Sequence, residues 1–98
     1  MKIKKLDRRM NCYGDFKYGV DFTWHWQGAR FDQVRQWCWE TFGPSVESDI
    51  WYELESIGEQ RNPKWCWDRG IYNKTSRCMI YLKDDQEMNW FKLRWGTE

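Results

Sequence analysis

Four cysteines, a single histidine and one adjacent pair of aspartates are the residues of this chain whose types could do chemistry. Cysteines can hold zinc, close disulfides or attack as thiolates, a histidine can move protons near neutral pH, and paired carboxylates can share a proton. Spacing argues against each. Cys12, Cys38, Cys66 and Cys78 are separated by 26, 28 and 12 residues with no C-x-x-C knuckle, and His25 is the lone histidine, so no metal site is expected. Cys38 and Cys66 each sit between two tryptophans, in W-C-W-E at 37–40 and W-C-W-D at 65–68. The flanks of the two copies differ, and a cysteine in that setting reads as a small buried hydrophobe. Cys38 also falls late in a helical segment, where the helix dipole opposes thiolate formation. His25 and Asp21 share one face of a strand-like segment, but four residues of strand separate them by about 13 Å at roughly 3.3 Å per residue, too far to pass a proton. Asp84-Asp85 opens a helix, where capping accounts for it. There is no G-x-S-x-G, phosphate loop, H-E-x-x-H or glycine-rich nucleotide turn. A non-enzymatic protein without a cofactor is the expectation.

The elements that position these residues come from hydrophobic periodicity. Phe16, Tyr18, Val20, Phe22, Trp24 and Trp26 alternate with Lys17, Gly19, Asp21, Thr23 and His25, which predicts a half-buried strand over 16–26. Phe31, Val34, Cys38 and Phe42 share one face of a helix over 29–42, ended by Gly43-Pro44, with Trp37 and Trp39 at the rim of that face. Residues 50–55 fit either a strand (Ile50, Tyr52, Leu54) or a short helix (Trp51, Leu54, Ile57), and the strand is the favoured reading. GEQRNP at 58–63 is a turn. Strands over 64–72 and 77–82 flank a polar loop at 73–76 and form a hairpin. Asp84 with Glu87 predicts a capped helix over 85–95, stopped by Gly96. These elements imply one α+β domain over residues 1–98, a two-layer sandwich with an antiparallel sheet of three to four strands and two helices on one face, ferredoxin-like or a split βαβ arrangement.

Composition bounds the partners. The chain carries 16 basic and 15 acidic residues, a net charge of +1, so no molecule-wide field draws it to a phosphate backbone. Charge is uneven in the basic N-terminal segment 1–10, where Lys2, Lys4, Lys5, Arg8 and Arg9 outnumber Asp7, and this run reads as a solvated end. No apolar stretch reaches the ~18 residues that span a bilayer and no secretion signal opens the chain, so a cytoplasmic protein with free thiols and no membrane partner is expected.

Nine tryptophans in 98 residues exceed what a small core easily absorbs, since each can hide roughly 150–250 Å². On the last helix Met88, Phe91 and Trp95 should face the sheet, which leaves Trp90 and Leu93 on the other side. The sheet face opposite Cys78, Ile80 and Leu82 would present Trp51, Met79 and Tyr81. Trp90, Leu93, Trp51, Tyr81 and Met79 are therefore the candidate protein-binding anchors. The same sheet face could stack unpaired bases, with Lys4, Lys5, Arg8, Arg9, Lys17 and Arg69 on phosphates, but Asp21, Glu53 and Glu55 would project there and oppose nucleic acid.

The strand over 16–26, the W-C-W of the first helix followed by Phe42-Gly43-Pro44-Ser45, the second W-C-W at 65–67, and the closing Ile80-Tyr81-Leu82-Lys83 with Trp90-Phe91-Lys92-Leu93-Arg94-Trp95 carry a likeness. The chain resembles small uncharacterised proteins encoded by tailed phages of marine cyanobacteria. The resemblance spans most of the chain and implies a viral protein working in the host cytoplasm, an accessory factor that touches a host protein or itself. It brings no catalytic residue.

Overall fold

A computed structural model describes residues 2–9, 12–22, 28–72 and 75–95, with the backbone alone for 28–29, 70–72 and 75–77. In chain order the elements are β1 (Lys2–Lys5), β2 (Tyr18–Asp21), α1 (Gly28–Phe42), α2 (Ser48–Ser56), β3 (Trp65–Tyr72), β4 (Thr75–Leu82) and α3 (Asp85–Trp95). The strands form one sheet in the order β1-β2-β4-β3, every neighbouring pair antiparallel. β3 and β4 pair along their whole length, from Trp65 opposite Leu82 to Tyr72 opposite Thr75. The hairpin is thus tighter than the loop at 73–76 anticipated, and residues 73–74 lie outside the described set.

Side chains alternate across the pleat. Val20 of β2, Trp65 of β3, and Cys78, Ile80 and Leu82 of β4 join Phe22, Phe31, Val34, Cys38, Phe42, Met88 and Phe91 in the main core, so α1 and α3 cover this face. The two helices lie side by side, Trp37 meeting both Phe91 and Trp95 edge to face. The opposite pleat holds Cys66, Met79 and Tyr81, which pack with Leu6, Cys12, Phe16 and Trp51 in a second core. This face is closed by α2 and by the loop between β1 and β2. The sheet therefore has three helices spread over both faces, where two helices on one face were expected.

The strand favoured for residues 50–55 is corrected to the helix α2. Its buried residues Ser48 and Trp51 are three apart, a helical spacing, whereas Ile50 is 45% exposed, so the alternation of Ile50, Tyr52 and Leu54 marks no buried face. Gly58, at φ +74°, ends the helix: its N–H bonds Glu55 O and the Glu59 N–H bonds Leu54 O. The Trp51 Nε1–H donates to Asn62 O at 2.7 Å, and the Arg61 guanidinium lies 3.6 Å from the Trp51 ring, which fixes α2 to the following loop.

The basic N-terminus is likewise not a loose arm, because Lys2–Lys5 is an edge strand on β2, with Ile3 opposite Val20. Lys2, Lys4 and Lys5 solvate and blunt that edge. Only part of the strand predicted over 16–26 is described: Phe22 N–H still bonds Cys78 O, and residues 23–27, with Thr23, Trp24, His25 and Trp26, lie outside the described residues. Phe16 departs from the alternation. The Lys17 N–H is shared between Leu82 O and Lys83 O, the pleat is interrupted there, and Phe16 turns into the second core, 4.9 Å from Trp51.

Truncation separates the helical from the extended reading of 48–56. Trp51→Ala should lower unfolding free energy by about 3–5 kcal/mol. Ile50→Ala should change it by less than about 0.5 kcal/mol. Chemical denaturation of the two variants checks this, and the reverse ranking would restore the strand.

Candidate functional site

α3 begins where the sequence places it. Asp84 Oδ1 accepts the Asp85 N–H at 2.8 Å, so the adjacent aspartates serve the helix start. Asp85 Oδ1 in turn accepts from the Tyr18 hydroxyl at 2.5 Å and from Lys17 Nζ at 3.0 Å, which ties the helix start to β2. The Tyr18 and Lys17 hydrogen bonds hold the Asp85 carboxyl below its ordinary value of 3.8, while the same Asp85 bond raises both partners.

From this anchor the helix sorts its residues by face. Glu87, Met88 and Phe91 are buried and Trp95 is half-buried against α1. On the other side Trp90 is 54% and Leu93 81% exposed, three residues apart and so adjacent on the helix surface. Lys92 and Arg94 flank them in the last turn. Two large apolar side chains side by side in water form a compact patch with a basic rim.

The remaining candidate anchors are elsewhere. Trp51, Met79 and Tyr81 are buried in the second core, 3%, 5% and 1% exposed, so the open aromatic sheet face expected from them is closed by α2. The candidate phosphate-gripping residues are also dispersed: Lys4 pairs with Asp21 at 3.3 Å, Arg9 with Asp7 at 3.4 Å, Lys17 with Asp85, and Arg69 with Asp32 at 2.9 Å. Lys5 and Arg8 are exposed beside them. A groove of about 730 Å³ runs between α1 and α3, but its Trp95 ring already carries the guanidiniums of Arg94 at 4.1 Å and Arg30 at 4.9 Å.

Sequence reasoning missed a second group. Cys12, Asp15, Tyr52 and Cys66 converge on the α2 face, with the Tyr52 hydroxyl donating to Asp15 Oδ2 at 2.9 Å. These residues come from three separate parts of the chain, and no spacing rule joins them. Cys38, by contrast, is a buried thiol in the main core, pushed up by desolvation alone. Among the described residues, no group of three His, Cys, Asp or Glu side chains could hold a metal ion, and no helix is long and apolar enough to cross a membrane. Searches against protein-family models, curated proteins and solved structures found no match to this chain.

The Asp85 anchor has a defined pH signature. Because its carboxyl is held low, its stabilisation is present above 3.8 and is lost as pH falls through the lowered value. Asp85→Asn should therefore melt below the parent protein at neutral pH, and the two melting curves should converge in acid. Thermal unfolding over a pH series measures this; a gap that persists in strong acid would contradict the anchor.

Proposed function

We propose that this protein is a non-enzymatic, phage-encoded interaction module of the host cytoplasm that uses the outer face of α3 to bind an apolar, acid-rimmed patch on a host protein. The observation that carries this is the pair Trp90 and Leu93, 54% and 81% exposed on a helix whose other face buries Glu87, Met88 and Phe91. Tryptophan is a favoured anchor of protein interfaces, and Lys92 and Arg94 supply a rim that would steer an acidic surround. Self-association through the same face is the second form of this reading.

Single-stranded nucleic acid is the weaker alternative, because the stacking platform it needs lies under α2 and four of its six candidate cations are engaged by carboxylates. For the architecture, we place the fold near the split βαβ arrangement; support comes from β2 and β3, both antiparallel to β4, which lies between them, and joined through α1 and α2.

Trp90→Ala/Leu93→Ala should leave the melting temperature close to that of the parent while weakening association at least tenfold, since two interface anchors worth more than about 1 kcal/mol each exceed the 1.4 kcal/mol that a factor of ten requires. Affinity capture from host lysate with nuclease treatment, alongside sedimentation of the purified protein, distinguishes a host partner from a second copy. Capture and sedimentation both unchanged in the double variant would remove the assignment. Tryptophan quenching by oligonucleotides at low salt, fading as salt is added, would instead favour nucleic acid.

A further inference from the structure

Arg30 and Arg94 stand apart from the cations that carboxylates engage. Both are exposed, and among the described residues neither meets an acid. Each is nonetheless held, because its guanidinium lies over the Trp95 ring, Arg94 at 4.1 Å and Arg30 at 4.9 Å from the centroid. Arg30 comes from the start of α1 and Arg94 from the last turn of α3, so the fold brings two like charges to one ring at the groove between these helices. Such charges repel, and an anion shared by both relieves the repulsion. Two further features favour an anion at this end. The Trp95 indole N–H is buried with no acceptor among the described residues. The first turn of α1 carries no acidic residue, so the positive end of its dipole adds to Arg30.

Two carboxylates line the same groove, and both are engaged. Asp32 Oδ1 lies 2.9 Å from Arg69 Nη1 and 3.6 Å from Arg35 Nη2, and Glu40 Oε1 accepts from Gln36 Nε2 at 3.1 Å. Glu40 is also remote, since ten residues of helix separate it from Arg30 by about 15 Å. The groove is therefore polarised along α1. Uncommitted donors stand at one end, an acceptor at the other, and the amides of Gln33 and Gln36 between them. No aromatic face is free: Trp95 carries the guanidiniums, and Trp37 meets Phe42, Phe91 and Trp95 edge to face.

We propose that the α1–α3 groove binds a small phosphate monoester with a polyol body, a sugar phosphate, whose head sits on Arg30 and Arg94. The phosphate follows from the donors, because planar guanidinium forks match its oxygens and two cations match a charge of about −1.5 to −2 at neutral pH. The body follows from the rest of the groove. Hydroxyls are served by Gln33, Gln36 and Glu40, while a nucleobase would find no open ring to stack on. A volume of about 730 Å³ holds such a molecule, within the ~300–1,000 Å³ of small-molecule sites. This site is distinct from the outer face of α3. Arg94 borders both, but Arg30 belongs to the groove alone.

The test is an amide chemical-shift titration of the protein at low salt with ribose phosphate, adenosine monophosphate, inorganic phosphate and ribose. Ribose phosphate should bind most tightly, shifting amides of α1 and the end of α3, and ribose should shift none. Arg30→Gln should weaken ribose phosphate about tenfold, the loss of one charge-assisted contact, and leave the ligand-free melting temperature unchanged because the side chain is exposed. Glu40→Gln should weaken ribose phosphate and spare inorganic phosphate. Trp90→Ala/Leu93→Ala should bind as the parent does, which keeps this result independent of any partner on the outer face. No shift with any phosphate compound, or an affinity that survives both Arg30→Gln and Arg94→Gln, would overturn the proposal. Equal affinity for inorganic phosphate would reduce the site to an adventitious ion only, and tighter binding of adenosine monophosphate would overturn the polyol body.

Discussion

The structure depends on β4 being apolar on both sides. Cys78, Met79, Ile80, Tyr81 and Leu82 run without a charge, and all five are buried. The strand is central in the sheet, bonded to β2 on one edge and β3 on the other. Pleating sends Cys78, Ile80 and Leu82 one way and Met79 and Tyr81 the other. Fully burying side chains of this size is worth roughly 1.5–3 kcal/mol each, so neither face can be left to water cheaply. Two covers are required. α1 and α3 supply one, and α2 with Leu6, Cys12 and Phe16 supplies the other.

That requirement also explains which parts of the fold were legible. α1 and α3 carry long 3.6-residue periods bounded by capping and stop residues, and the sequence reading matches their extents to within a residue. The β3–β4 hairpin and the inward set Cys78, Ile80 and Leu82 were equally readable. α2 was not, because nine residues hold too few turns to separate a helix from an alternating strand, and its two buried side chains include a serine. β1 was hidden because Ile3 is its lone apolar residue among lysines, so its pairing comes from β2 rather than from its own pattern. The signal for a second layer was the unbroken apolar run 78–82. An uninterrupted run means a strand buried on both faces, where an open sheet would alternate. Read that way, Met79 and Tyr81 belong in a core and a helix must lie over them. The α3 patch was legible for the complementary reason: Met88 and Phe91 fix the inner face, and the geometry of the turn sets Trp90 and Leu93 outside it.

The tryptophans divide according to whether the fold can satisfy both the ring and its N–H. Trp51 and Trp65 are buried, and each indole N–H finds a backbone carbonyl at 2.7 Å, Asn62 O and Gly43 O respectively. Trp37, Trp67 and Trp95 are half-buried around the main core, where they pack on one another or under guanidiniums. Trp39 and Trp90 remain outside, 43% and 54% exposed. Among the seven tryptophans within the described residues, two therefore stay outside the interior, while Trp24 and Trp26 lie outside the described residues. Trp39 lies beside the core as a single rim residue, whereas Trp90 has Leu93 next to it. An isolated exposed ring is ordinary on a protein surface; two large apolar neighbours on one helix face are what a contact surface requires.

Electrostatics point the same way. Lys4, Arg9, Lys17, Arg61 and Arg69 each meet a carboxylate within 3.4 Å, so much of the basic charge is neutralised within the molecule and little projects as a field. Recognition by such a surface has to come from apolar contact at short range, with local charge setting orientation. The outer face of α3 meets that condition, since Trp90 and Leu93 lie together there with Lys92 and Arg94 flanking them in the last turn.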